Sequence, residues 1–313
     1  MVKTKHKAYI AAVSYAIIVG LSFLGTKTCV EITTPFLTLA WRYNVGFLGG
    51  LLLILCGKIK FDFKDKDIKG LILASSFYIA FMGIQTYGLT KATSIEGSIV
   101  FAAIPIFVQC IAYFLLKEKT VLIQNVFILL SVTGVIIMYA WGSAGLGDIN
   151  PAGFFILLLS SICMAFCNVY MRYARKDFKA VEVGCFIVIL GFVFFNILLF
   201  ISLLVRGEFS ISYYISPFLT PSAVKFTTAI IYLGIPCMLL TSSLITYALS
   251  HMEAVKGTVF GNLSLLIAII AGIIVRNEPF LIYHFICSVL IIAGVIGTNI
   301  PKMVKSQEVN TRR

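Results

Sequence analysis

Uncharged polar side chains recur at helical spacing inside long apolar stretches of this sequence. Ser75, Tyr78, Met82 and Gln85 follow the spacing i, i+3, i+7 and i+10, which places them on one face of a helix. A second stripe of the same kind consists of Ser98, Ala102, Pro105, Gln109 and Tyr113. An amide or hydroxyl group in apolar surroundings needs a hydrogen-bond partner. Each polar residue therefore either bonds to a neighbouring helix or lines a cavity that holds water or a small molecule.

Three charged residues in or beside apolar stretches are further candidates. Arg42 interrupts the stretch 35–57, and a charge within lipid is costly enough to indicate a function by default. We expect its side chain to extend toward the membrane surface or to pair with a carbonyl group at a helix end. Glu118 and Glu278 lie at junctions into the next expected helix, where the positive end of the helix dipole favours an anion. We expect both glutamates to anchor the structure, with gating as the alternative role.

Two prolines fall inside apolar stretches. Pro105 and Pro236 each remove one backbone hydrogen bond, so both are expected to kink their helices. Packing is the expected role of the kinks, and hinge motion is the alternative.

The clusters that an enzyme would need are missing from the sequence. The three histidines, His6, His251 and His284, have no partner at the spacing of metal ligands, and no glycine-rich phosphate loop is present. We therefore predict that the protein is not an enzyme and carries neither a metal ion nor a cofactor.

The elements that must position these residues are membrane-spanning helices. The chain of 313 residues is 60% hydrophobic and 12% charged, and the charged share is about half that of a soluble domain. A helix crosses the hydrocarbon core with roughly 20 apolar residues. Ten stretches supply about that length: 8–26, 35–57, 70–90, 97–116, 120–147, 149–171, 183–205, 226–252, 257–275 and 279–301. We predict an all-α polytopic membrane protein with ten transmembrane helices.

The positive charges of the chain are distributed asymmetrically about these stretches. With a cytoplasmic N-terminus, 19 of the 25 lysines and arginines lie at cytoplasmic positions and five at external ends, while Arg42 lies within a helix. This split follows the positive-inside rule and predicts cytoplasmic N and C termini in a multi-pass protein of the cytoplasmic, or inner, membrane. The net charge of +12 therefore indicates the anionic inner leaflet as a partner rather than nucleic acid.

The sequence contains an internal repeat with an offset of 160 residues. Tyr87 aligns with Tyr247, Glu118 with Glu278, and the pair Gly134-Val135 with Gly294-Val295. Because each repeat has five predicted helices, the second one enters the membrane in the opposite sense. We therefore predict two inverted five-helix repeats, residues 1–147 and residues 148–313, the second ending in a short cytoplasmic tail. Inverted repeats are typical of secondary transporters, whose central site opens alternately to each side.

The repeated spacing Glu118-x15-Gly134-Val135 and Glu278-x15-Gly294-Val295 resembles the EamA-type branch of the drug/metabolite transporter (DMT) superfamily. The run Gly20-Leu21-Ser22-Phe23 followed by Lys27, Pro35 and Arg42 is similar to the same family. The resemblance implies a ten-helix secondary carrier, often an exporter of metabolites, amino acids or drugs. It also implies direct contact with an anionic substrate as a second possible role for Arg42.

The resemblance further implies that the first, third, fourth, sixth, eighth and ninth helices line a central cavity. The repeat maps Ser98 onto Thr258, Ala102 onto Asn262, and Met82 onto Ser242. The candidate substrate-binding residues are Tyr15, Ser22, Tyr78, Met82, Gln85, Ser98, Gln109, Asn168, Ser242 and Asn262. Because none of them carries a fixed charge, we expect a small neutral, zwitterionic or amphipathic ligand, amino-acid-like or drug-like.

The middle thirds of the predicted helices contain no Asp or Glu, so proton coupling has no evident carrier. We expect efflux by alternating access through facilitated diffusion or exchange. A proton-coupled antiporter that uses Glu96, Glu118 or Glu278 is the alternative. A channel or a membrane-embedded enzyme is a more remote one.

Overall fold

The protein is helical throughout the part of the chain that its structure, a computed structural model, describes. That part comprises residues 2–59, 61–64, 66–116, 122–141, 150–206, 210–251 and 254–311. Within those ranges no residue forms a β-strand.

Thirteen α-helices occur in the described residues, together with a short 3₁₀ turn at Ser216–Phe218 and a π-helical turn at Pro236–Leu240. The helices are α1 (Val2–Ile32), α2 (Pro35–Leu55), α3 (Lys69–Gly88), α4 (Ser94–Ala102), α5 (Ile104–Leu116), α6 (Leu122–Trp141), α7 (Pro151–Ala174), α8 (Ala180–Arg206), α9 (Ile211–Ile215), α10 (Ala223–Gly234), α11 (Thr241–His251), α12 (Ala254–Arg276) and α13 (Ile282–Thr311).

The apolar helices fit a membrane in length and composition. In the described residues, seven helical segments are long and apolar enough to cross a bilayer, and three shorter apolar segments lie in α6, α12 and α13. The outward faces carry large exposed apolar side chains such as Leu52, Leu204 and Ile274, which is the surface that lipid covers. The helix α13 continues to Thr311, so the segment predicted as a short tail extends the last helix. No proline or glycine after Pro301 interrupts it.

Two of the predicted helices are interrupted next to a proline. The fourth breaks at Ala103, between α4 and α5, just before Pro105. The eighth is interrupted by the π-helical turn Pro236–Leu240, which joins α10 to α11. Proline has no backbone N–H to donate, which accounts for a local departure from the α-helical pattern at both places.

The helices pack mainly between the two halves of the chain. The most extensive pairings join α3 with α7, α6 with α13, α1 with α12, and α2 with α8. The two largest of the buried apolar clusters in the described residues are built on Ile99, Leu157 and Ile291, and on Tyr43 and Phe195. Phe101 packs against both clusters. The space between them is the place where a central cavity can form.

Candidate functional site

A cavity of about 350 Å³ lies among helices of both halves of the chain. This volume is within the range of small-molecule sites. Its polar lining residues are Tyr15, Ser22, Arg42, Tyr78, Gln85, Ser98, Asn168 and Ser264. Its other lining residues are Val19, Phe23, Phe81, Met82, Phe101, Ala102, Ile104, Pro105, Met164, Cys237 and Leu265. The cavity therefore combines hydrogen-bonding groups with an apolar and aromatic wall.

Helical periodicity explains how α3 contributes to the cavity. Tyr78, Met82 and Gln85 lie on one face of α3, and all three line the cavity. Ser75, one turn earlier on the same face, is buried and does not line the cavity; its hydroxyl donates to the carbonyl oxygen of Leu71 at 2.7 Å. The cavity thus includes the part of the stripe from Tyr78 to Gln85.

Seven of the ten candidate substrate-binding residues line this single cavity. They are Tyr15, Ser22, Tyr78, Met82, Gln85, Ser98 and Asn168. The side chains of Ser242 and Asn262 lie outside the described residues, as does Glu118 altogether. Of the residues expected to have structural or gating roles, Arg42 and Pro105 line the cavity, and Pro236 precedes Cys237, which also lines it.

Gln109 is placed elsewhere. It lines a separate surface pocket between α5 and α6, together with Tyr113 and Asn125. The prediction treated the fourth helix as continuous, so that the face containing Ser98 would extend to Gln109. The break at Ala103, whose N–H bonds to the carbonyl of Val100 at 3.2 Å in a 3₁₀ pattern, changes that phase. Gln109 is therefore removed from the candidate cavity set.

The cavity has an aromatic wall that was not predicted from the sequence. The ring centroids of Phe23 and Phe101 are 5.3 Å apart, and those of Phe81 and Phe101 are 5.5 Å apart. Phe81 and Phe101 each follow a recognised polar residue, Tyr78 and Ser98, by three positions. Spacing could therefore have identified both, but 26 phenylalanines in an apolar chain gave no reason to prefer these.

Arg42 neither extends to the membrane surface nor pairs with a helix-end carbonyl. Its side chain is 3% exposed, and Nη1 donates to the Thr26 hydroxyl at 3.4 Å. Its Nε atom is buried and has no hydrogen-bond partner in the described structure. The side chain extends from α2 toward Thr26 of α1, so the guanidinium lies in the interior of the protein and not at the membrane surface.

A hydrogen-bonded layer lies one helical turn from Ser98, at the predicted outer end of the helices. The Lys27 ammonium donates to the carbonyl oxygens of Leu89 at 2.8 Å and Ala92 at 2.7 Å. Glu278 accepts hydrogen bonds from the backbone at the start of α4 and pairs with Arg276 at 3.2 Å. Glu278 was expected at the start of its own next helix, α13. The chain instead reverses at Asn277, whose φ is 52°, and directs the carboxylate to α4.

In the described parts of the chain, no group of three or more His, Cys, Asp or Glu side chains is placed to bind a metal ion.

Comparison with known sequences gives two matches to one family model. The model of the EamA-like transporter family matches residues 6–140 and residues 151–300. The uncharacterized transporter YcxC of Bacillus subtilis (strain 168) is 35% identical over 300 residues, covering 95% of each chain. The uncharacterized transporter YetK of the same organism is 25% identical over 307 residues, covering 96% of this chain and 89% of its own.

A solved structure shares the fold. The crystal structure of a protein of unspecified function superposes with a TM-score of 0.61 at 15% identity, covering 94% of this chain and 96% of its own. At this identity the similarity concerns the fold alone.

Proposed function

Because the chain belongs to the EamA-like transporter family of the drug/metabolite transporter superfamily, we propose that its central cavity is the substrate site of a secondary carrier. Membership already makes the protein a multi-pass membrane transporter of small molecules rather than an enzyme. The observation that carries the proposal is the convergence of seven uncharged candidate residues from α1, α3, α4 and α7 on one cavity of about 350 Å³.

The chemistry of the lining suggests the class of substrate. Ser98, Gln85 and Asn168, which carry hydroxyl and amide groups, line the same cavity as the aromatic residues Phe81 and Phe101. Such a surface binds a compact molecule that has an apolar body and a few hydrogen-bonding groups. We propose a small amphipathic metabolite, neutral or zwitterionic overall, amino-acid-like or drug-like in size.

The mechanism that fits this arrangement is alternating access between two inverted repeats. The two family matches divide the chain near the predicted boundary at residue 147, and the main helix pairings join the two halves. We propose ten transmembrane helices with both termini in the cytoplasm, in the inner membrane, and outward transport. Accessibility labelling tests this topology: cysteines introduced at Ser143 and Asn310 should react from opposite sides of the membrane, and reaction from one side would contradict it.

Facilitated diffusion or exchange fits the lining better than proton coupling. None of the described residues that line the cavity is acidic. Glu96 and Glu278 are engaged in capping α4, through Thr93 and through the amides of Ser94 and Ile95. Proton-coupled antiport through one of these carboxylates is the second candidate, because Glu96 precedes the cavity-lining Ser98 by two positions and Glu278 bonds to Ser94, one turn before Ser98.

Flux measurements in liposomes distinguish these candidates. Purified protein is screened by thermal shift against amino acids, vitamins and nucleoside-like metabolites, and stabilising compounds are tested for uptake. We expect saturable uptake, counterflow, and equal final levels with and without a pH gradient. Accumulation of the substrate above its external concentration, driven by the pH gradient, would contradict facilitated diffusion and support a proton-coupled antiporter. Fast, linear conductance without counterflow would contradict a carrier of either kind.

A further inference from the structure

Among the described residues, the guanidinium of Arg42 is a buried positive charge without a negatively charged partner. It is 3% exposed and lines the central cavity. Within the described part of the chain its side chain makes one hydrogen bond, the long contact to Thr26 Oγ1 at 3.4 Å. That oxygen itself donates to the carbonyl oxygen of Ser22 at 2.9 Å. The Nε–H of Arg42 has no acceptor among the described residues. Arg42 therefore leaves most of its five N–H donors unused.

Three glutamates at the same ends of the helices as Lys27 are bound to other groups. Glu278 pairs with Arg276 and receives the amides of α4, and Glu31 pairs with Arg276. Glu96 closes the capping box with Thr93. A buried charge without a counter-ion is destabilising, and proteins generally retain one only where it serves binding or catalysis.

We propose that Arg42 binds the carboxylate of the transported substrate inside the central cavity. This inference rests on the proposed substrate site and extends its substrate class from neutral and zwitterionic molecules to monocarboxylate anions, because Arg42 supplies a positive charge to the cavity. A carboxylate matches the planar guanidinium fork and supplies the missing acceptors. One guanidinium balances one negative charge, so a singly charged carboxylate fits the otherwise uncharged lining better than a phosphate dianion does.

The remaining lining determines what else the substrate carries. Tyr78 and Phe81, with ring centroids 5.6 Å apart, and Phe101 form an apolar surface for a hydrocarbon or aromatic body. Gln85 and Asn168 offer amide groups to a second polar function, including an ammonium group. The substrate is thus a monocarboxylate with an apolar body, and an amino acid belongs to this class.

Matched acid and amide ligands test the inference without knowledge of the natural substrate. The probes are 3-phenylpropionate, 4-methylpentanoate and phenylalanine, each compared with its primary amide in thermal-shift titrations of the full-length protein. We expect the acids to stabilise the wild-type protein with an apparent affinity at least about tenfold higher than the amides. The inference would be overturned if each acid and its amide raised the melting temperature equally, or if no compound raised it.

Variants at Arg42 assign the preference to this side chain. Arg42→Gln should abolish the difference between acid and amide, and Arg42→Lys should keep part of it. Gln109→Ala, in the separate surface pocket, should leave this difference unchanged.

Without ligand, the Arg42→Met protein should have a melting temperature no lower than that of the wild type, because an unpaired buried charge is removed. A markedly lower melting temperature of this variant would assign Arg42 a structural role and contradict the inference.

Transport separates failure of this inference from failure of the proposed function. Saturable flux of the amides with no preference for the acids would overturn the carboxylate site and leave the carrier intact. Preferential binding of the acids without any saturable flux would support the Arg42 site and count against the carrier.

Discussion

Glu278 caps the helix that contains Ile95: its Oε2 atom accepts a hydrogen bond from the Ile95 backbone N–H at 3.0 Å across 183 positions of sequence. The Oε1 atom accepts the N–H of Ser94 at 3.1 Å, and Thr93 Oγ1 accepts the N–H of Glu96 at 3.1 Å. The first three amides of α4, which have no partner within a helix, are therefore all satisfied. A carboxylate at this position also interacts favourably with the helix dipole. The second half of the chain thus stabilises a helix of the first.

Loss of this cap should destabilise the protein. Glu278→Ala leaves two buried amides of α4 without an acceptor, and hydrogen bonds to a charged group contribute about 1.5–3 kcal/mol each. We expect a clearly lower melting temperature in detergent. Glu31→Gln removes a half-exposed carboxylate that pairs with Arg276, and exposed pairs contribute about 0–1 kcal/mol. Equal melting temperatures for the two variants would contradict the capping role.

Lys27 connects α1 to the turn between α3 and α4, and its removal should weaken that connection. Its ammonium satisfies two carbonyl oxygens, those of Leu89 and Ala92. Lys27→Met leaves both without this donor, so we expect a loss of about 1–3 kcal/mol, measured as a lower melting temperature. The exposed Lys91 provides the control, because Lys91→Met breaks no described hydrogen bond. A Lys27→Met protein as stable as Lys91→Met would show that water replaces the ammonium.

The sequence predicts the helices and their faces better than it predicts the partners of their polar groups. Apolar composition locates the helices, and periodicity brings Tyr78, Met82 and Gln85 to one cavity. These are local properties. The acceptor role of Glu278 depends on contacts across 183 positions, and single-helix periodicity carries no information about them. The position predicted for Gln109 is wrong for a related reason. The prediction continued the helical face of Ser98 through Ala103, but the helix is interrupted there, so the residues after it lie on a different face.

Close packing of α1 on α12 depends on Gly20. A Cβ atom at this position would lie 2.6 Å from the carbonyl oxygen of Ser264 and 2.8 Å from the side chain of Ile267. Gly20→Ala must therefore separate the two helices, and overpacking of this kind costs about 1–3 kcal/mol. Gly83→Ala is the matched control, since its Cβ would meet only the Phe195 ring at 3.7 Å. We expect the melting temperature of Gly20→Ala to fall well below that of Gly83→Ala. The reverse order would contradict the packing described.

Filling the central cavity should stop transport without unfolding the protein. Ala102 lines the cavity beside Phe101 and is 9% exposed, so the indole of Ala102→Trp can occupy the space in which the substrate is proposed to bind. Because the cavity holds only about 350 Å³, we expect the initial rate of substrate uptake into liposomes to fall by roughly tenfold or more. Gln109→Trp places the same side chain in the separate surface pocket and should retain wild-type uptake. Melting temperatures near the wild-type value for both variants would establish that the loss is specific. Undiminished uptake by a folded Ala102→Trp protein would exclude this cavity from the transport pathway.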